Sequence, residues 1–473
     1  MRSLFFYAFA SLTLGFSSCE QQGVELYSLS AKMTVVDSTA ITVTSNVKQP
    51  IKLGIDGTLL HWRSYLKDSL AQLAVGDMAP HFIRTTVLNG FQKEEGTFNP
   101  AIFGTILEMI NAMKAVNPDV KFFASPGSLK SVYTDQEKID IWGHVDNVPF
   151  CPYPAWIQEW DSVGTKTMSD GTVVPIWQKG TFHIDKLTAH YAAYLNFMKT
   201  QGVDITYLDA SNEQTIIRPA HCKYLTDSLP GKLAAGVNMP AIISPSTWSV
   251  QGGINWLNEV DISNNEQHGF QIASVHNTGG SGSLAEFADA AHSFTKEAWN
   301  TEMHRWTGTN LRNQILNSSI FWEHMQAGIN GLATWLFFGP ANGAGGSPMI
   351  WAHGNNGTIT KTGTYEIYKQ VVNHANGGNY VEVNSPSTQL VSTAFIKDDV
   401  LSVWVLNKGT TGISGQKVDL GSRDILGKGI DVKIWKESLP NAGIDTTFTA
   451  TNTHDFTFNI DEESLYFFKI DLN

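Results

Sequence analysis

The chain has 473 residues, 42% hydrophobic and 16% charged, which is enough apolar material for one large core and a smaller one and too much for disorder. A formal net charge of -12 excludes broad nucleic-acid binding, which needs a basic surface to displace counterions from phosphate. Aromatic residues make up 11% and include 14 Trp, flat apolar side chains of the kind that stack on sugar rings.

Residues 1–19, MRSLFFYAFASLTLGFSSC, carry an early Arg, an apolar stretch from Leu4 to Phe16 and small residues before Cys19. The stretch is too short to span a bilayer and has the layout of a secretion signal. Its FSSC end resembles a bacterial lipoprotein signal, so cleavage is expected to leave Cys19 as a lipid-bearing first residue. The expected location is the outer membrane or cell surface, otherwise the periplasm or the medium, with the lipid on Cys19 as the membrane contact. Residues 20–32 read as a linker. Cys151 and Cys222 show no metal-like spacing, and both a disulfide and two separate thiols stay open.

Residues 33–50 alternate Met33/Val35 and Ile41/Val43 with polar positions, the period of half-buried strands. Between 51 and 378, strand and helix signals alternate. KLGIDG, HFIRTTV, VKFFASP, DITYLDASNE, AIISPS, FQIASVHN, EAWNTEM and GLATWLFF each read as a buried strand. Helical stretches lie between most of them. One places Ile106, Ile110 and Met113 on a single face; another places Leu187, Tyr191, Leu195 and Met198 so, with Asp185 as N-cap and Gly202 as terminator. Eight such units predict a (β/α)8 TIM barrel, with its chemistry at the C-terminal ends of the strands. A doubly wound sheet would need a Gly-rich phosphate loop after the first strand, and GIDGTLLHW has none. GPANGAGGS at 339–347 reads as a loop at the mouth. Residues 379–473 are all-β: LVSTAFI, Asp398-Asp399 and VLSVWVLN form a hairpin pattern, followed by DVKIW, FTFNI and LYFFKIDL. The early strands at 33–50 are expected to complete this module as a side β-sandwich.

On such a barrel, the fourth strand ends at Asn212-Glu213 and the seventh offers Glu302, with Glu297 as a competitor if the register is off. Two carboxylates across one mouth suit glycosidic bond cleavage: one protonates the departing oxygen while the other attacks the anomeric carbon or activates water. His304, Arg305 and Trp306 follow Glu302 and flank the cleft. His61, Trp62 and Arg63, and Arg218 and His221, add donors for hydroxyl, sulfate or carboxylate groups. The fourteen histidines form no metal-binding spacing such as H-E-x-x-H, so neither metal nor cofactor is expected.

Several stretches together resemble glycoside hydrolase family 30, within the clan of retaining glycosidases built on this barrel. HFIRTTV, with Arg84, is similar to the family's second strand; FFASPGS is similar to its SPWS segment, and PAWIQ (Pro154 to Gln158) to its PAWMK. YAAYLNFMKTQGVDITYLDASNEQ covers the fourth unit. The likeness implies Glu213 as general acid/base, Glu302 as nucleophile and Asn212 as partner of the sugar 2-hydroxyl. It implies Arg84, His276 and Trp335 around the central subsite. Gln214 stands where the family has proline, SPG replaces SPW, and about 25 residues intervene before PAW. The resemblance thus implies a retaining β-glycosidase acting on an oligo- or polysaccharide. The alternative is a non-catalytic cell-surface glycan-binding protein on the same barrel. Specificity is expected in the loop from about 128 to 182, which carries Trp142, Trp156, Trp160 and Trp177.

Overall fold

The computed structural model describes residues 40–56, 64–127, 133–145, 148, 152–305, 307–340, 348–353 and 358–473. The leader and linker, the 33–39 part of the first strand region, Cys19, His61, Trp62, Arg63, Cys151, Trp306 and residues 341–347 lie outside these. Strand β1 (Ile41–Pro50) precedes the barrel strands β2 (Lys52–Asp56), β3 (Phe82–Leu88) and β4 (Phe122–Gly127). A hairpin of β5 (Gln158–Thr167) and β6 (Val173–Phe182) is inserted next. The remaining barrel strands are β7 (Ile205–Asp209), β8 (Ala241–Ser249), β9 (Ile272–Gly279), β10 (Glu297–His304) and β11 (Gly331–Trp335).

The eight runs read as buried strands are the eight barrel strands. All neighbours pair in parallel, and β11 returns to pair with β2, closing the barrel. That closure rules out the doubly wound sheet. Inside it, Phe82, Phe123, Tyr207, Ile243, Ile272, Trp299 and Ala333 fill the floor, with Phe82 and Trp299 stacked 5.1 Å apart at 4°. Gly331 is required here because a Cβ would run into the Trp299 ring. The floor makes the barrel a packed core, open to ligands only at its mouth.

The helices form the outer layer. Ile106, Ile110 and Met113 are buried on the helix Gly104–Val116, and Leu187, Tyr191, Leu195 and Met198 on the helix Ile184–Thr200. The cap of the latter differs from the sequence reading: His183 is the N-cap and Asp185 sits in the first turn, where a carboxylate still favours the helix dipole. Gly202, at φ 72°, ends it as expected. Cys222 is a buried thiol that donates to Ser244 Oγ at 3.3 Å.

After the barrel come a small mouth sheet of β12 (Phe338–Pro340), β13 (Ile350–His353) and β14 (Thr358–Lys361), and then the side domain. The latter comprises β15 (Asn379–Asn384), β16 (Leu390–Lys397), β17 (Val400–Asn407), β18 (Ile413–Asp419), β19 (Gly429–Trp435), β20 (Ile444–Thr449), β21 (Asp455–Ile460) and β22 (Ser464–Asp471). β1 joins them between β15 and β18, making one nine-stranded sheet in the order β20-β19-β22-β17-β16-β15-β1-β18-β21. The sheet curls over a core that includes Ile41, Val43, Val403, Val405, Ile430 and Phe468, the sandwich-like side domain read from the two ends of the chain. Trp322 of the barrel layer meets Trp404 at 6.0 Å, and Arg312 Nε donates to Glu463 Oε2 at 2.6 Å. These contacts join barrel and sheet.

Candidate active site

Glu213 and Glu302 converge at the C-terminal mouth. Glu302 lies near the end of β10, while Glu213 stands in the turn that follows β7. That turn has left-handed backbone at two successive residues, Asn212 (φ 41°) and Glu213 (φ 67°). Asn tolerates this region, whereas for Glu it costs about 1–3 kcal/mol. Neighbouring groups hold it there. Glu213 N–H donates to Ser246 O on β8 at 2.8 Å, and Ser211 and Asn212 N–H donate to Asp209 Oδ1 at 2.9 and 3.2 Å.

Arg84, 4% exposed, is the hub beneath the carboxylates. Its Nη1 donates to Glu302 Oε2 at 2.6 Å and to Asp56 Oδ2; its Nη2 donates to Ser125 Oγ at 2.8 Å and to Asn212 Oδ1 at 2.5 Å. One guanidinium therefore ties together β2, β3, β4, β10 and the turn after β7. Burial alone would lower the Arg84 pKa, but Asp56 and Glu302 outweigh it and raise it. For Glu302, burial alone would raise the pKa; Arg84, then His276 and His304, hold it well below the usual carboxylate range. Its other oxygen, Oε1, meets His304 Nε2 at 3.0 Å. A buried, ionised carboxylate fixed through both oxygens is suited to attack an electrophilic carbon.

His276 lies between the two carboxylates and is 0% exposed. Its Nδ1 is 2.7 Å from Glu213 Oε1 and 3.7 Å from Glu302 Oε2, and its Nε2 is 3.2 Å from Thr301 Oγ1. Burial alone would lower the imidazole pKa, yet Glu302 and Glu213 raise it. The sequence reading had this residue lining the subsite; it is buried at the mouth, with Nδ1 toward Glu213.

Asn212 Nδ2 donates to Pro126 O at 2.9 Å, which orients the amide at the mouth. Trp335 is half-buried, and its ring lies 5.6 Å from His304 at 30°, forming a wall beside Glu302. Arg305 Nη1 donates to Trp335 O at 3.1 Å. Glu297, the competitor of Glu302, is at the opposite end of β10, where it accepts from Lys52 Nζ at 2.5 Å and Trp299 Nε1 at 2.8 Å. Arg218 is bound to Glu259 at the surface, and His221 Nδ1 is 3.1 Å from Ile216 O. Sequence reasoning missed Asp56, Asp209, Ser125 and Asn277. The signal for the two aspartates was a lone carboxylate at the end of an otherwise apolar strand.

Glu213, His276 and Glu302 each offer one atom within 4.8 Å of the others, so an oxygen of one carboxylate lies within 4.8 Å of an oxygen of the second. The trio has the ligand types of a metal site. The guanidinium of Arg84, 2.6 Å from Glu302, already supplies the positive charge there and would repel a divalent ion.

The barrel and its side sheet are similar in fold to solved glycosidases. The family 30 endoxylanase of Clostridium papyrosolvens C71 is 19% identical, with a TM-score of 0.65 over 92% of this chain and 100% of that one. The catalytic domain of the family 30 xylanase C of Talaromyces cellulolyticus is 12% identical, with a TM-score of 0.67 over 91% and 100%. The fold is a family 30-like glycosidase fold. A conserved exported protein from Bacteroides fragilis is 12% identical, with a TM-score of 0.60 over 91% of this chain and 100% of that one. No protein-family model and no curated protein matches the sequence.

Proposed function

We propose that the chain is a retaining β-glycoside hydrolase acting on an oligo- or polysaccharide, with Glu302 as nucleophile and Glu213 as general acid/base. The observation that carries this reading is the closeness of the two carboxylates, an oxygen of Glu213 lying within 4.8 Å of an oxygen of Glu302. Retaining enzymes hold the pair about 5–5.5 Å apart, and inverting ones about 6.5–9.5 Å, to admit a water. In the first step, a Glu302 oxygen bonds to the anomeric carbon as the glycosidic C–O bond breaks and the departing oxygen takes the Glu213 proton. In the second, Glu213 removes a proton from water, whose oxygen displaces Glu302 from the anomeric carbon. In this reading Asn212 receives the sugar 2-hydroxyl, and Trp335 and His304 flank the ring. Arg84 and His276 position and charge the two glutamates.

The similar xylanase folds make β-linked xylan the first polymer to test. Reducing-sugar release from plant, fungal, algal and host polysaccharides is expected from the wild type and not from Glu302→Gln, with at least a roughly 10³-fold loss of kcat. Proton NMR of the first product should give the β anomer. An α first product would refute retention. Release by neither protein, with one glycan still bound, would favour the non-catalytic glycan-binding reading.

The leader supports export, with a lipid on Cys19 as anchor. Among the described residues, no helix is long and apolar enough to cross a membrane. Mass spectrometry of the mature N-terminus would find a diacylglyceryl-modified Cys19 if this holds; an unmodified N-terminus at another residue would refute it.

A further inference from the structure

Trp248 is the penultimate residue of β8, at the C-terminal mouth of the barrel, and is 52% exposed. Among the described residues no other tryptophan is as open to solvent. Leaving a large apolar ring in water forgoes about 25 cal/mol per Å² of burial, so an indole fixed in this state calls for a use.

The indole is held by its surroundings. Ser249 pairs with Gly279 of β9, and a Cβ at Gly279 would stand 2.8 Å from Trp248 Cδ1 and 3.1 Å from its Nε1. The edge of the ring thus rests on bare glycine backbone. On one side, Thr247 Oγ1 donates to Ser249 O at 2.8 Å. On the other, Ser249 Oγ accepts from Gly252 N–H at 3.2 Å, capping the helix Val250–Asn258. Two residues before Trp248, Ser246 O takes the Glu213 N–H at 2.8 Å. The segment that anchors the acid/base turn therefore also carries the exposed ring.

We infer that Trp248 is a stacking platform for a pyranose ring of the glycan chain on the leaving-group side of the cleft. This rests on the proposed function, in which Glu213 protonates the departing oxygen. In that reading the departing sugar leaves on the Glu213 side of the mouth, and β8, which carries the indole, is the strand paired with β7 there. The C–H face of a pyranose is the ligand chemistry that suits a fixed, exposed indole.

The test combines binding and turnover. In native gels containing xylan, mixed-linkage glucan, galactan or mannan, the Glu302→Gln protein should be retarded by at least one polymer. Adding Trp248→Ala should weaken that binding about tenfold, and Trp248→Phe should restore most of it. Gly279→Ala, which displaces the indole without removing it, should mimic Trp248→Ala. On the glycan that the wild type cleaves, Trp248→Ala should lower kcat/KM about tenfold and leave the matching glycosyl fluoride, whose leaving group is one atom, unaffected. Equal losses on both substrates would overturn the leaving-side assignment. Unchanged retardation, or no retardation by any polymer, would overturn the platform. Absent hydrolysis with Trp248-dependent retardation would instead refute the enzyme reading and leave the platform standing.

Discussion

Replacing Arg84 by Met tests the centre of the site most directly, since it keeps an unbranched apolar stem and removes the guanidinium. The wild-type cation serves Glu302 at 2.6 Å, Asn212 at 2.5 Å, Ser125 at 2.8 Å and the fully buried Asp56. Removing one partner of a buried ion pair costs about 3–5 kcal/mol, because the remaining charge is left uncompensated. With an unfolding entropy of about 2.1 cal/mol/K per residue, a chain of 473 residues loses about 1 °C of Tm per kcal/mol. The expected fall at pH 7 is about 3–5 °C. The pH dependence has a definite sign. Arg84 depresses the folded pKa of Glu302, so the stability this carboxylate contributes is complete above its unfolded value of about 4.3. It is lost only as pH falls through the lower folded value. In the variant the folded pKa rises, so the Tm gap is widest near neutrality and narrows in acid. The acid limb of kcat/KM, which reports the ionised nucleophile in the free enzyme, should move up by about one unit or more. Thermal melts at pH 7 and pH 4, with kcat/KM against pH on the responsive glycan, read all three effects. A Tm within about 1 °C of wild type and an unmoved acid limb would refute the hub role of Arg84.

Glu213→Gln should slow glycosides with poor leaving groups about 10²- to 10⁴-fold and activated aryl glycosides far less, because a good leaving group needs no proton. Equal losses on both would remove Glu213 from the acid role. For His276, whose folded pKa is raised by Glu302 and Glu213 against burial, the stability contribution is complete below the unfolded value of about 6.5. It is lost as pH rises through the folded value, so wild-type Tm should decline across that window and His276→Gln should remove this part of the decline. Identical Tm–pH curves would show that the imidazole does not titrate there.

Much of the fold was legible because parallel barrel strands are buried on both faces and therefore read as short apolar runs. The side-domain hairpin was legible too: Asp398 and Asp399 have φ 50° and 61°, the two-residue turn that joins twisted strands, between β16 and β17 paired residue for residue. The support of the site was not. Arg84 finds partners on segments 28, 41, 128 and 218 residues away in sequence, and no local pattern encodes such convergence. Nor does local sequence indicate that a histidine at the end of a strand is turned into the protein, as His276 is, or that a tryptophan is turned out, as Trp248 is.

The choice between Glu297 and Glu302 shows why side-chain direction at the mouth escapes a simple periodic reading. Alternation puts residues an even number apart on one face of a strand. Trp299 belongs to the barrel floor, and Glu297, two residues before it, points inward with it and bonds its indole at 2.8 Å. By the same rule Glu302, three residues after Trp299, should point outward into the helical layer. It points inward because β10 is irregular there. Its register against β9 shifts between Asn300 and Glu302, and against β11 between Asn300 and Met303. The local geometry has its own bonds: Asn300 Oδ1 accepts the Glu302 N–H at 3.1 Å, Asn300 Nδ2 donates to Asn277 Oδ1 at 3.0 Å, and that oxygen also accepts the His304 N–H at 2.8 Å. A bulge of this kind re-aims one side chain while leaving the strand in its sheet. Strict alternation would have sent the carboxylate away from Arg84, and the irregularity held by two asparagines brings it back to the mouth.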